Sequence, residues 1–174
     1  MGKRSNFKKI DKDAYLTIDP RATQPLLDYL NDDIVYYEPC YGRGNLVELL
    51  HGFTCVGHSD LEKDARTTQY QTTAEYFITN PPWSRKILHP IIDNLRVQLP
   101  TWLLFDADWM HTQQAIPYME YCKTIISVGR LKWIPNSTMD GKDNCAWYLF
   151  VDSKTGCTFI PRKKRLEHWL GEKK

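Results

Sequence analysis

The sequence predicts a doubly wound α/β domain with a mostly parallel sheet and an antiparallel edge strand. Short β-branched and aromatic runs at 34–37, 53–57, 76–79 and 101–105 alternate with polar loops and helix-period segments, the pattern of a parallel sheet covered on both faces. A glycine loop, Tyr41-Gly42-Arg43-Gly44, stands between the first of these runs and the apolar helix pattern Leu46, Val47, Leu49, Leu50. The run Tyr76–Thr79 is stopped by Asn80-Pro81-Pro82-Trp83, whose paired prolines can donate no ladder hydrogen bond. A polar, stiff and aromatic tip therefore ends a strand at the edge where open parallel sheets bind ligands.

Taken in order, residues 1–14 are polar and basic and read as an arm, 15–160 as the domain, and 161–174 as a basic tail. Lys3, Arg4, Lys8 and Lys9 at one end, and Arg162, Lys163, Lys164 and Arg165 at the other, suit phosphate contacts or simple solubility. A helix is expected near 23–30, with Pro25 in its first turn and Leu26, Leu27 and Leu30 on one face. After the second strand come Asp60 and Glu62; residues 64–75 are too polar and short to define a third strand. Ser84 suits the cap of a helix whose apolar face is Ile87, Leu88, Ile91, Ile92, Leu95 and Leu99, with Pro90 tolerated near its first turn. A helix over 112–121 and a strand over 124–128 follow. The runs 130–134 and 146–151 flank a polar loop, as an antiparallel pair at the sheet's edge would.

With 174 residues, 42% hydrophobic and 25% charged, the chain suits one buried core and neither a disordered nor a membrane class. No apolar run nears the roughly 18 residues of a membrane span, and no signal peptide precedes the domain, so a cytoplasmic protein is expected. The five cysteines are widely spaced, with no C-x-x-C pair and no histidine at zinc-ligand spacing. Reduced packing cysteines and no metal site are expected.

Glu38, at the first strand's end, suits a cationic ligand better than a pyrophosphate. Asp60, sixteen residues after Gly44, stands where such folds place a ribose ligand, and Glu62 is the second choice; Asp60 equally suits a helix cap.

Glu38-Pro39-Cys40-x-Gly42-x-Gly44, Ser59-Asp60-x-Glu62 and Asn80-Pro81-Pro82-Trp83, in this order, resemble the Rossmann-like class I methyltransferases. Over roughly residues 13–151 the chain is similar to the small phage-type DNA N-6-adenine methyltransferases. The resemblance implies S-adenosylmethionine as cofactor. Glu38 and the loop Pro39, Cys40, Gly42 and Gly44 would hold its methionine part, Asp60 or Glu62 its ribose, and Tyr15 and Thr17 would complete the pocket beside Asn80. Ile18 stands where a proline often follows that threonine. Asp64-Ala65 and the Tyr70 region are alternative linings for the adenine part.

The same resemblance makes Asn80, Pro81, Pro82 and Trp83 catalytic. The Asn80 side-chain oxygen and the Pro81 carbonyl would accept from an amine, Pro82 would stiffen the tip, and Trp83 would stack on a flipped base. Cys40 lies in the glycine loop rather than after the Asn80 strand, which argues against a covalent cysteine mechanism. DNA is the expected partner, in a bacterial host cytoplasm if the chain is phage-encoded. Cytosine N4, an RNA base or a glutamine side chain remain alternative acceptors, and a degenerate fold that only binds nucleic acid is a further reading. A cofactor fold uses nearly the whole length, so target choice is expected to fall to 135–144, 108–114 and the basic ends, with short or loose sequence preference.

Overall fold

The computed structural model describes residues 15–163; the arm over 1–14 and the tail beyond residue 163 lie outside the described residues. Seven strands form one sheet: β1 (Val35–Glu38), β2 (Thr54–His58), β3 (Tyr76–Thr79), β4 (Thr101–Asp106), β5 (Cys122–Arg130), β6 (Asn144–Phe150) and β7 (Thr158–Ile160). Their order is β2-β1-β3-β4-β6-β5-β7. Pairings β1–β2, β1–β3, β3–β4 and β5–β7 are parallel, and β6 runs antiparallel between β4 and β5. The expected antiparallel pair is present toward one edge of the sheet, but the partner of β6 is 122–130 rather than 130–134. The helix α1 (Gln24–Leu27) precedes β1, α2 (Asn45–Leu49) follows the glycine loop, α3 (Arg85–Arg96) joins β3 to β4, and α4 (Ile116–Met119) precedes β5.

The central strands are buried on both faces, which is why their sequences read as continuous apolar runs. Tyr36, Ile78, Trp102, Leu104 and Trp147 face one core with Leu26 and Leu50. Their chain neighbours Tyr37, Phe77, Leu103, Phe105 and Tyr148 face the other with Leu88, Ile92 and Trp109. Two buried indole nitrogens find partners, Trp147 Nε1 donating to the Ala22 carbonyl (2.7 Å) and Trp109 Nε1 to His89 Nε2 (3.0 Å), whereas the buried Tyr36 hydroxyl has none. Burial and Arg85 hold the His89 imidazole below its ordinary pKa, in the neutral form able to accept.

Several expectations change. Residues 59–75 form turns and no strand, so β2 is the outermost strand on its side. Its residues alternate between exposed and half-buried, with Val56 exposed. The helix expected over 112–121 is a 3-10 turn at Gln113–Ala115 followed by the one-turn α4, with Pro117 at its start. Pro90 sits inside α3 rather than in its first turn, on the exposed side where its missing donor costs least. Ser84 occupies the N-cap position through its carbonyl, which accepts from Ile87 and Leu88 (2.8 Å each), and its side chain makes no capping bond. Cys157 is exposed, with its sulfur 3.9 Å from that of buried Cys122, so it is not a packing residue.

Candidate active site

Parallel pairing of β1 with β2 and β3 sets Glu38, Ser59-Asp60 and Asn80 side by side at one sheet edge. Glu38 is 1% exposed and its Oε2 has no hydrogen-bond partner. Burial pushes its carboxyl up to about 9, aided by the Asp60 charge; the nearby Thr79 hydroxyl opposes the shift without making a well-formed bond. A carboxyl hidden from water and lacking a partner is matched by a cation that arrives as a ligand.

The glycine loop turns through positive φ at Gly42 (56°) and Gly44 (80°), and Gly44 is the N-cap of α2. The space that the missing Cβ leaves at Gly44 is taken by the Tyr41 phenol, while at Gly42 a Cβ would lie 3.3 Å from Leu16 Cδ2. The Tyr41 ring in turn stacks on His58 (3.9 Å between centroids). These glycines therefore make room for Tyr41 and Leu16. Pro39 is buried. Burial pushes the half-buried Cys40 thiol up to about 12, so no thiolate nucleophile is present near neutrality.

After β2, Ser59 is buried and its backbone joins the loop to β1: Ser59 N donates to the Glu38 carbonyl (3.0 Å), and Tyr41 N to the Ser59 carbonyl (2.9 Å). Asp60 is half-buried beside Glu38, whereas Glu62 is exposed and accepts from Asp60 N (2.9 Å), a turn-forming contact. Asp64 is exposed and bound to Arg66. Tyr70 is half-buried near Ser59, its ring against Tyr37 and Phe77. Both alternative linings border this corner: Ala65 is buried in the core against which Cys40 and Tyr70 pack, and the Asp64 charge acts on Cys40 and Tyr70.

Asn80 is fixed on three sides. Its Nδ2 donates to the Tyr15 carbonyl and to Thr17 Oγ1 (3.0 Å each), and its Oδ1 accepts from Trp83 Nε1 (3.0 Å). The indole can only donate and the carbonyl only accept, which determines the amide's orientation. Tyr15 and Thr17, expected in a cofactor pocket, serve here to hold the carboxamide. Pro81 is buried and Pro82 half-buried. Trp83 is half-buried and packs edge-to-face on Trp133 (5.5 Å, 88°), which also meets Tyr15 (5.9 Å). The corner is thus partly filled by the protein's own aromatic rings. One lone-pair direction of Oδ1 is engaged and a second remains, since a carboxamide oxygen has two.

Trp133 was not predicted as a site residue. It lies in the β5–β6 connection, and no local pattern links position 133 to position 83. The connection is pinned by Asp19, which accepts from Lys132 N (2.8 Å) and from Arg21, while Arg21 Nη2 also meets Asp140 (2.6 Å). Burial opposes the Asp19 charge, but these donors outweigh it and hold the carboxyl below its ordinary range.

No protein-family model and no curated protein sequence matches the chain. Among solved structures it is similar to a dimethyladenosine transferase from Plasmodium falciparum, at 13% identity and a TM-score of 0.50, covering 75% of this chain and 59% of that one. It is also similar to a modification subunit assigned to a type I restriction enzyme from Vibrio vulnificus YJ016, at 10% identity and 0.50, covering 91% and 49%. A protein assigned as a hemolysin from Lactococcus lactis aligns at 10% identity and 0.52, covering 86% and 94%. The chain therefore spans about half to three-fifths of the first two. At these identities the likeness is one of fold, and the fold is that of the Rossmann-like class I methyltransferases.

Proposed function

We propose that this chain transfers a methyl group from S-adenosylmethionine to the exocyclic amine of adenine in DNA. The observation that carries the reading is the pairing, on adjacent strands, of a buried partnerless carboxyl at Glu38 with a carboxamide at Asn80 held by three protein groups. The carboxyl fits the ammonium of the cofactor's methionine part, and Asp60 at the end of β2 fits its ribose. When bound, the cofactor supplies an electrophilic methyl on a cationic sulfonium.

The chain's own contribution is orientation. The free lone-pair direction of Asn80 Oδ1 and the Pro81 carbonyl accept the two amine hydrogens, drawing the nitrogen's electron pair out of conjugation and toward the methyl. Because Tyr15, Thr17 and Trp83 already hold the carboxamide, little reorganisation accompanies the reaction. Trp83 and Trp133 provide aromatic surface against which a base taken out of its stack can lie. The high Cys40 pKa agrees with a direct transfer that forms no covalent enzyme intermediate.

Long-read modification calling on DNA from cells expressing the protein, beside an Asn80→Ala control, tests the proposal. N6-methyladenine is expected with the wild type and absent with the variant. Methylation on cytosine, on RNA or on protein alone, or equal signal from both proteins, overturns the DNA-adenine reading.

A further inference from the structure

Parts of the segments expected to choose the target, Asp108 to His111, Asn144 and Arg162, meet at one cleft outside the Asn80 corner. A cleft of about 270 Å³ is lined by Asp108, Met110, His111, Asn144, Phe159 and Arg162. It lies over the ends of β4, β5 and β7 and the start of β6, the sheet edge that also carries Asn80. From β3 to β5, which carries the Gly129 seat of Arg162, is three strand spacings, about 14 Å. That is about four rises along one strand of B-form DNA.

The lining selects among ligands. Arg162 lies on Gly129, where φ is +90° and a Cβ would come within 2.6 Å of its Nη1; the glycine makes the seat for the guanidinium. Arg162 takes part in none of the ion pairs among the described residues. Phe159 is 55% exposed on an edge strand, an apolar face left uncovered among the described residues. Asp108 stands at the same cleft, with Asp106 and Asp143 close by, and these carboxylates disfavour a phosphate. A flat ligand offering donors to a carboxylate and acceptors to a guanidinium fits better, and that describes a nucleobase. Guanine presents two adjacent donors on one edge and the acceptors O6 and N7 on another, the latter being the usual partner of arginine.

We propose that this cleft seats a guanine within about four positions of the target adenine in the substrate strand. The inference rests on the methyl-transfer reading above, and two experiments separate their failures. The first measures methylation of oligonucleotides carrying each of the four bases at each of about four positions on either side of the adenine. The wild type should favour guanine at one position by about tenfold, and Phe159→Ser and Arg162→Met should each cut that ratio below about twofold. Equal rates with all four bases, or a ratio unchanged in both variants, overturns the inference while leaving methyl transfer standing.

The second uses no cofactor: the wild type and Arg162→Met are titrated with deoxyguanosine monophosphate or inorganic phosphate while the Gly129 and Asn144 amide resonances are followed. Shifts with the nucleotide that phosphate does not reproduce, and that the variant loses, support the cleft even if no methyl group is ever transferred. Equal shifts from phosphate, or none from the nucleotide, overturn it.

Discussion

A carboxyl that folding leaves protonated makes stability depend on pH in a definite sense. Glu38 titrates near 9 in the folded chain against 4.5 ordinarily, so over that interval the unfolded chain has released a proton that the folded one keeps. Its linked stability is intact below 4.5 and declines as pH rises toward 9, by about 1.4 kcal/mol per unit at most. Melting of the ligand-free protein should therefore fall between about pH 5 and pH 9, and Glu38→Gln should flatten the decline while weakening S-adenosylmethionine at least about tenfold. Calorimetry across that range decides; an unchanged slope in the variant would show that the carboxyl is already ionised. Trp83→Phe is a finer probe, since it retains an aromatic ring and removes the N–H that meets Asn80 Oδ1. Losing about 1 kcal/mol of hydrogen bonding should lower kcat about fivefold with little change in KM. Steady-state kinetics showing full turnover would mean that Tyr15 and Thr17 suffice to aim the carboxamide.

The connection between β5 and β6 owes its place to contacts far apart in the chain. Arg21 ties Asp19 to Asp140 while Asp19 accepts from Lys132 N, which settles Trp133 against Trp83. Asp140→Ala should raise amide exchange over 133–143 severalfold while costing at most about 1 kcal/mol of global stability, because the Asp140 half of the pair is partly exposed. Exchange mass spectrometry showing no change there would assign the loop's order to Leu131 and Trp133 packing instead. The sequence could not have announced this tie, since positions 19, 21, 132 and 140 share no periodicity. By contrast β3 and its tip were legible, because a β-branched aromatic run stopped by two prolines has few other readings. Residues 112–121 misled because Pro117 and a 3-10 turn break what composition alone would extend into a helix.

At the scale of the whole molecule, one sheet separates two cores, and Trp83 packs against both. Ile78 belongs to one and Ile92 to the other. Each Ile→Val change should cost about 0.5–1.5 kcal/mol. The double variant should match their sum within about 0.5 kcal/mol in urea unfolding. A larger departure would mean that strain crosses the sheet. The two-faced burial was readable from unbroken apolar strands, whereas the missing strand beyond β2 was not, since 59–75 differs little in composition from an ordinary connection. That omission leaves β2 as an edge strand among the described residues, without a proline and with a single register irregularity, at its exposed Val56, to deter an incoming chain. Such a margin is a template for strand addition, so crowding, high concentration or partial unfolding should find their first foothold on the side of the molecule farthest from β7.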